Sequence, residues 1–137
     1  MSIRRFVLNK LARNKIVEKF KEEGVTSNFE ILKDNEQYLE ALSEKLIEEL
    51  EEVFAAQNKE ELVEEIADLE EVLAEFKKLL AVNEKEVTIA REKKNKEKGS
   101  FSDRLFVHYI DVPANAKRVI KYCEEQPDKY PEVEIED

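Results

Sequence analysis

Two acidic pairs stand in register about one point of the chain. Glu49 and Glu52 are three residues apart in KLIEELEEVF, and Glu65 and Asp68 are three apart in ELVEEIADLEEV. Counted outward from the Asn58–Lys59 junction, Glu49 lies as far upstream as Asp68 lies downstream, and Glu52 matches Glu65 in the same way. A chain reversal at that junction puts four carboxylates on two levels of one helical hairpin. Oxygen donors so gathered suit Mg²⁺ or Mn²⁺, hard ions that keep several waters and take substrate phosphates as well. Such a site neutralises phosphate charge and activates a water for in-line attack.

The elements that must position these groups follow from the apolar period. Asp34 with Gln37 reads as an N-terminal cap, and a helix follows from Glu36 to about Gln57. Its apolar stripe is Leu39, Leu42, Leu46, Leu50 and Val53. Asn58 with Glu61 is a capping box for a helix reaching about Ala81, with stripe Leu62, Ile66, Leu69, Leu73, Phe76 and Leu80. At about 100° per residue, Glu49 lies about 60° and Glu52 about 120° to one side of a stripe centred near Leu46 and Leu50. Glu65 and Asp68 lie about 60° and about 120° from their own stripe in the same sense. Two antiparallel helices packed stripe to stripe are related by a twofold axis, so all four acids open onto one surface. Two carboxylates about 6 Å apart repel by roughly 3 kcal/mol at an effective dielectric near 20, so a metal, a lysine, a proton or solvent separation must compensate. Acidic residues also fill most exposed positions of these helices, and an ordinary solvated face is the competing reading.

The remaining chain is read more coarsely. Residues 6–24 form a leading segment and short helix ended by Gly24, and Phe29, Ile31 and Leu32 are expected to pack a connector onto the core. Asn83 with Glu86 opens a helix that stops at Gly99. Phe101, Leu105, Phe106, Val107 and Tyr109 form an apolar patch, either extended or a helical turn, and a short helix is expected over Asn115–Glu125. From Pro127 the chain is acidic and proline-punctuated, with little fixed structure expected.

Composition sets the class. A chain of 137 residues is one domain's length, and two Gly, three Pro and 41% charged residues favour long helices over a sheet. The fold class is therefore all-α. A net charge of −10 excludes duplex nucleic acid as the main partner, although the basic run Arg91–Lys98 suits a small phosphate-bearing ligand. Single residues of Cys123 and His108 exclude a disulfide framework and any multi-histidine metal site, and both are read as packing residues. No apolar stretch has the length of a membrane span, nor does the N-terminus carry a secretory apolar region, so the expected location is cytoplasmic.

Three blocks in order carry a family resemblance. KLARNKI at Lys10–Ile16, then YLEALSEKLIEELEEV with ELVEEIADLEEVL, then REKKNKEKGSFSDRLFV at Arg91–Val107 resemble the MazG-like all-α nucleoside-triphosphate pyrophosphohydrolase superfamily. Within it they look closest to the phosphoribosyl-ATP pyrophosphohydrolase-like, house-cleaning branch. The match spans roughly residues 7–108. It implies a MazG-like helical bundle built on a central antiparallel helical hairpin. The nucleotide pyrophosphohydrolase domain would be residues 1–110, and residues 111–137 a short helix and acidic tail with no counterpart in the family. The implied reaction is Mg²⁺-dependent cleavage of a nucleoside triphosphate, nonstandard ones included, to monophosphate and pyrophosphate. The family's ExxE and ExxD fall on Glu49, Glu52, Glu65 and Asp68, as metal ligands and catalytic carboxylates with one serving as base toward water.

The resemblance also names basic partners. Lys45, Arg13, Lys15, Arg91, Lys94 and Arg104 fall in the matching blocks as candidate phosphate contacts. A local salt bridge to Glu49 is the equal alternative for Lys45, and a solvated face or an acidic neighbour for the others. Phe101 is read as a stacking residue for a base or, more ordinarily, a core residue. Family members build their cleft between subunits, so a homodimer or homotetramer is implied. Two departures stand out: Asn14 replaces the family's Asp, and Val17 its proline. The loss of charge at Asn14 leaves room for a non-catalytic nucleotide-binding protein. A helical interaction module in which the acids only solubilise is the third reading.

Overall fold

Side-chain caps set where the long helices begin. The computed structural model describes residues 2–136 and contains five helices and, among those residues, no strand. They are α1 (Ile16–Glu22), α2 (Asn35–Ala55), α3 (Lys59–Leu79), α4 (Glu84–Lys98) and α5 (Lys117–Glu124). Asp34 Oδ1 accepts from the Glu36 N–H at 3.0 Å and starts α2, without the help of Gln37. Asn58 Oδ1 accepts from the Glu61 N–H at 2.9 Å, while Glu61 Oε2 reaches back to the Gln57 N–H at 2.9 Å. Asn83 and Glu86 exchange both bonds, at 2.8 and 3.1 Å, and start α4 as a reciprocal capping box. Gly24 and Gly99 follow α1 and α4 with φ of +78° and +80°, the left-handed conformation that ends a helix without a Cβ penalty.

Two units divide the chain, Met1–Lys96 and Glu97–Asp137. In the first, α2 and α3 pack on each other. Tyr38, in the first turn of α2, donates its hydroxyl to Glu75 Oε2 late in α3 at 3.4 Å. Glu52 near the end of α2 lies beside Glu65 near the start of α3. The two helices therefore run antiparallel across a connector of only Ala56, Gln57 and Asn58.

Their seam differs from the apolar stripes. Leu42 and Val72 are its buried side chains, at 3% and 9% exposure, with Leu39, Leu46, Val53, Leu69 and Phe76 half-buried. Leu50, expected at the stripe's centre, is 42% exposed, and Leu62, Ile66, Leu73 and Leu80 are exposed as well. Glu49 takes the seam position instead, at 5% exposure. The helices are rotated so that the acidic flank, rather than the middle of the apolar stripe, turns inward. Phe29 and Ile31 are also exposed, so the connector before α2 contributes only half-buried Leu32.

In the second unit α5 is shorter than the helix expected from the sequence, starting at Lys117 rather than Asn115. Phe101 is fully exposed, which removes it from any core within this unit, and His108 is exposed with only an edge contact to the Phe106 ring at 5.1 Å. The packing role expected for His108 is thus not met. Cys123 is a free, half-buried thiol. Tyr122 and Tyr130 place their ring centroids 5.6 Å apart. Among the described residues no helix is long and apolar enough to cross a membrane.

Candidate metal centre

The caps and the short connector fix the axial register of α2 against α3, and that register gathers the acids. Glu49, Glu52, Glu65 and Asp68 each offer a carboxylate oxygen, and these atoms all lie within 4.8 Å of one another. Glu49 is buried, Glu65 and Asp68 are half-buried and Glu52 is exposed, so the cluster runs from the seam out to one surface.

Two of its oxygens lack partners. Glu49 Oε2 and Glu65 Oε2 are both buried and accept no hydrogen bond. An ionised oxygen withdrawn from water with nothing to replace its hydration is among the most costly arrangements in a protein. Glu49 Oε1 is matched by Lys45 Nζ at 3.2 Å, which leaves its second oxygen unpaired among the described residues. The donors are all hard carboxylate oxygens, the set preferred by Mg²⁺ and Mn²⁺. The residues present fit such a cation.

Electrostatics tell the same story. Burial, and then the nearby Glu52, push the Glu49 carboxyl above its ordinary value of 4.5 despite the opposing Lys45. Glu52 is also raised, foremost by its closeness to the Glu65 carboxylate and then by burial. Without a cation the cluster is thus inclined to hold protons. Glu48 is the contrast. Burial acts to raise it, but Lys10 and Lys45 outweigh burial and draw its carboxyl below the usual range. Burial likewise acts to lower Lys45, yet its contacts with Glu49 and Glu48 hold it above the ordinary lysine value.

The basic candidates separate into two groups. Lys45 Nζ lies 3.4 Å from Glu48 and 3.2 Å from Glu49, the local salt bridge that was its alternative reading. Arg13 Nη2 lies 2.8 Å from Asp68 Oδ1, at the cluster itself. Lys15 is an exposed residue at the N-terminus of α1, and Arg91 and Lys94 are exposed on α4. Arg104 belongs to the second unit and has a φ of +60°. Among the described residues none of these four takes part in an ion pair.

One pair beside the cluster was not expected from the sequence. Lys10 Nζ meets Glu48 Oε1 at 3.3 Å, which ties the leading segment to α2 beside the cluster. Lys10 opens the KLARNKI block, so the block itself was the signal. Asn14 is exposed in the turn between Arg13 and α1, beside a residue that does reach the cluster. Compared with protein-family models, with curated proteins and with solved structures, the chain matches none.

Proposed function

We propose that this chain is a MazG-like nucleoside-triphosphate pyrophosphohydrolase, with α2 and α3 as the central hairpin of the domain. The observation that carries the reading is the convergence of four carboxylates, two with buried oxygens that no protein group satisfies. A Mg²⁺ or Mn²⁺ ion held by Glu49, Glu52, Glu65 and Asp68 would supply charge neutralisation at phosphate and a more acidic water. The chain's own residues do the rest. Glu49, buried, and Glu65, half-buried, each set a carboxylate oxygen at the base of the site. Lys45 orients Glu49 and limits the repulsion within the cluster. One carboxylate of the four takes the proton of the attacking water, which adds to phosphorus as the α–β bridging oxygen departs with pyrophosphate. Arg13, Lys15, Arg91, Lys94 and Arg104 are the candidate phosphate contacts.

Self-association is part of the same reading. Ile47, Leu50, Phe54, Leu62, Ile66 and Leu73 are exposed on α2 and α3. At about 100° per residue they fall on the flank of each helix turned away from the acids. A two-helix layer with an uncovered apolar flank gains stability by burying it, and a second copy offers an equal flank in a homodimer or homotetramer. The same flank favours one alternative, a helical interaction module without catalysis.

The test is incubation with a panel of nucleoside triphosphates and Mg²⁺, assayed for pyrophosphate. Turnover is expected, falling at least about 100-fold in folded Glu49→Gln and Asp68→Asn variants. Tight nucleotide binding without pyrophosphate would instead make the protein a sequestering one. No binding and no turnover across the panel would leave the interaction module.

A further inference from the structure

The chain leading into α1 ties itself to both long helices at the edge of the carboxylate cluster. Residues 2–15 contain no helix or strand. Lys10 pairs with Glu48 of α2 and Arg13 pairs with Asp68 of α3, so two cations three residues apart link the segment to each helix in turn. The cluster's two cationic partners are held very differently. Lys45 grows from α2, its side chain is 19% exposed, and it contacts two carboxylates. Arg13 grows from irregular chain, its side chain is 61% exposed, and it makes one ion pair.

The geometry points to residues 10–15 acting as a strap at this site, with Arg13 holding Asp68 as a stand-in cation that a divalent ion displaces. The inference rests on reading the cluster as a cation site. That reading has a support beyond acidity, because Glu49 is more than nine-tenths buried and carries an unpartnered oxygen on a carboxylate that belongs to the cluster. Asp68 is the one member of the four whose side chain pairs with a residue from outside α2 and α3. A guanidinium and a dication on one carboxylate repel each other. The outcome is set by which is held more firmly. An exposed ion pair shifts an equilibrium by only about two- to five-fold, whereas a dication engages all four carboxylates.

Displacement leaves Arg13 near the site rather than lost from it. The Lys10–Glu48 pair, three residues before Arg13, still ties the segment to α2. A freed guanidinium presents paired N–H donors to phosphate oxygens, so the residue that guards Asp68 in the metal-free state becomes a contact for the anionic ligand. Cation first and phosphate second is the order this exchange imposes.

Side-chain ¹⁵N NMR of the full chain, with Arg13 identified by the signal missing in Arg13→Gln, tests the exchange directly. Titration with MgCl₂ alone is expected to move the Arg13 Nε–H signal to the position of a free guanidinium. Calorimetric titration of the same salt should show Arg13→Gln binding about two- to five-fold tighter than wild type. Lys10→Gln removes an equal charge whose partner Glu48 lies outside the four, and it should change affinity by less than half as much. An Arg13 signal unmoved at cation saturation overturns the strap, as does an equal gain in the two variants or weaker binding in Arg13→Gln. If neither wild type nor variants bind Mg²⁺, the cation site itself fails and takes the strap with it.

Discussion

The two flanks of the α2–α3 pair violate opposite rules of burial. On one, carboxylates are withdrawn from water, with Glu49 at 5% exposure and two oxygens unpaired. On the other, apolar side chains are left in water, Phe54 at 78% exposure and Ile47 and Leu50 beside it. Rotating both helices by roughly half a turn-step about their axes would bury more leucine and release more glutamate. The fold does the reverse. Each flank is costly for an isolated pair of helices, and each becomes favourable when something is added: a cation on the first, an apolar surface on the second. Local departures from consistency of this kind mark functional surfaces.

The largest expected effect lies on the seam between the flanks. Leu42→Ala should destabilise the fold by about 2–5 kcal/mol in denaturant titration, because Leu42, at 3% exposure, is the more deeply buried of the two apolar side chains that close the seam. Phe54→Ser on the apolar flank should leave a monomer's stability within about 0.5 kcal/mol, while abolishing the concentration dependence of unfolding that the proposed self-association would create. Equal costs at the two positions would mean that the seam and the apolar flank do not differ in the way their exposure suggests.

A smaller effect sharpens the acidic side. In chelator, Glu49→Gln should raise stability by about 1 kcal/mol near neutral pH, since an amide replaces a buried charge and can donate to a neighbouring acid. Glu49 and Glu52 both lie above the ordinary 4.5, so between that value and their own the folded chain binds more protons than the unfolded one. Stability contributed by these two groups is therefore full below pH 4.5 and is lost as pH rises through their raised values. The advantage of Glu49→Gln should shrink as pH falls through that window, read from unfolding midpoints across a pH series. Constancy of the difference would show that Glu49 stays charged throughout and that its burial costs little.

Much of this arrangement was legible in the residues, and what was not has physical reasons. The asparagine caps at Asn58 and Asn83, and the periods of α2 and α3, located the long helices, because capping and periodicity are local signals. The meeting of Glu49, Glu52, Glu65 and Asp68 followed from their mirrored spacing about the turn and from their shared flank of the two apolar stripes. The turn's three residues centre on Gln57 rather than on the Asn58–Lys59 junction, which offsets the expected levels by three residues, about 4.5 Å along the axis, and the length of the carboxylate side chains bridges that offset. Rotation about the axis was not legible. Leu46, Glu49 and Leu50 lie within about 100° of arc, and only tertiary contact decides which of them takes the seam. The pairs Lys10–Glu48 and Arg13–Asp68 join residues 38 and 55 positions apart, so no window along the chain displays them. The burial expected of His108, and of Phe101 in its core reading, is not met for the same reason: residue type favours burial, but no described residue of their own unit covers them.

Calorimetric titration of the metal-free protein with MgCl₂ and MnCl₂, paired with unfolding midpoints, addresses the acidic cluster most directly. Saturable binding is expected, with an unfolding free energy higher by about 2.7 kcal/mol at a hundredfold excess over Kd, and with both signals lost in folded Glu49→Gln and Glu65→Gln proteins. Absence of binding by the wild-type chain, or binding left intact when those two carboxylates are removed, would contradict the account.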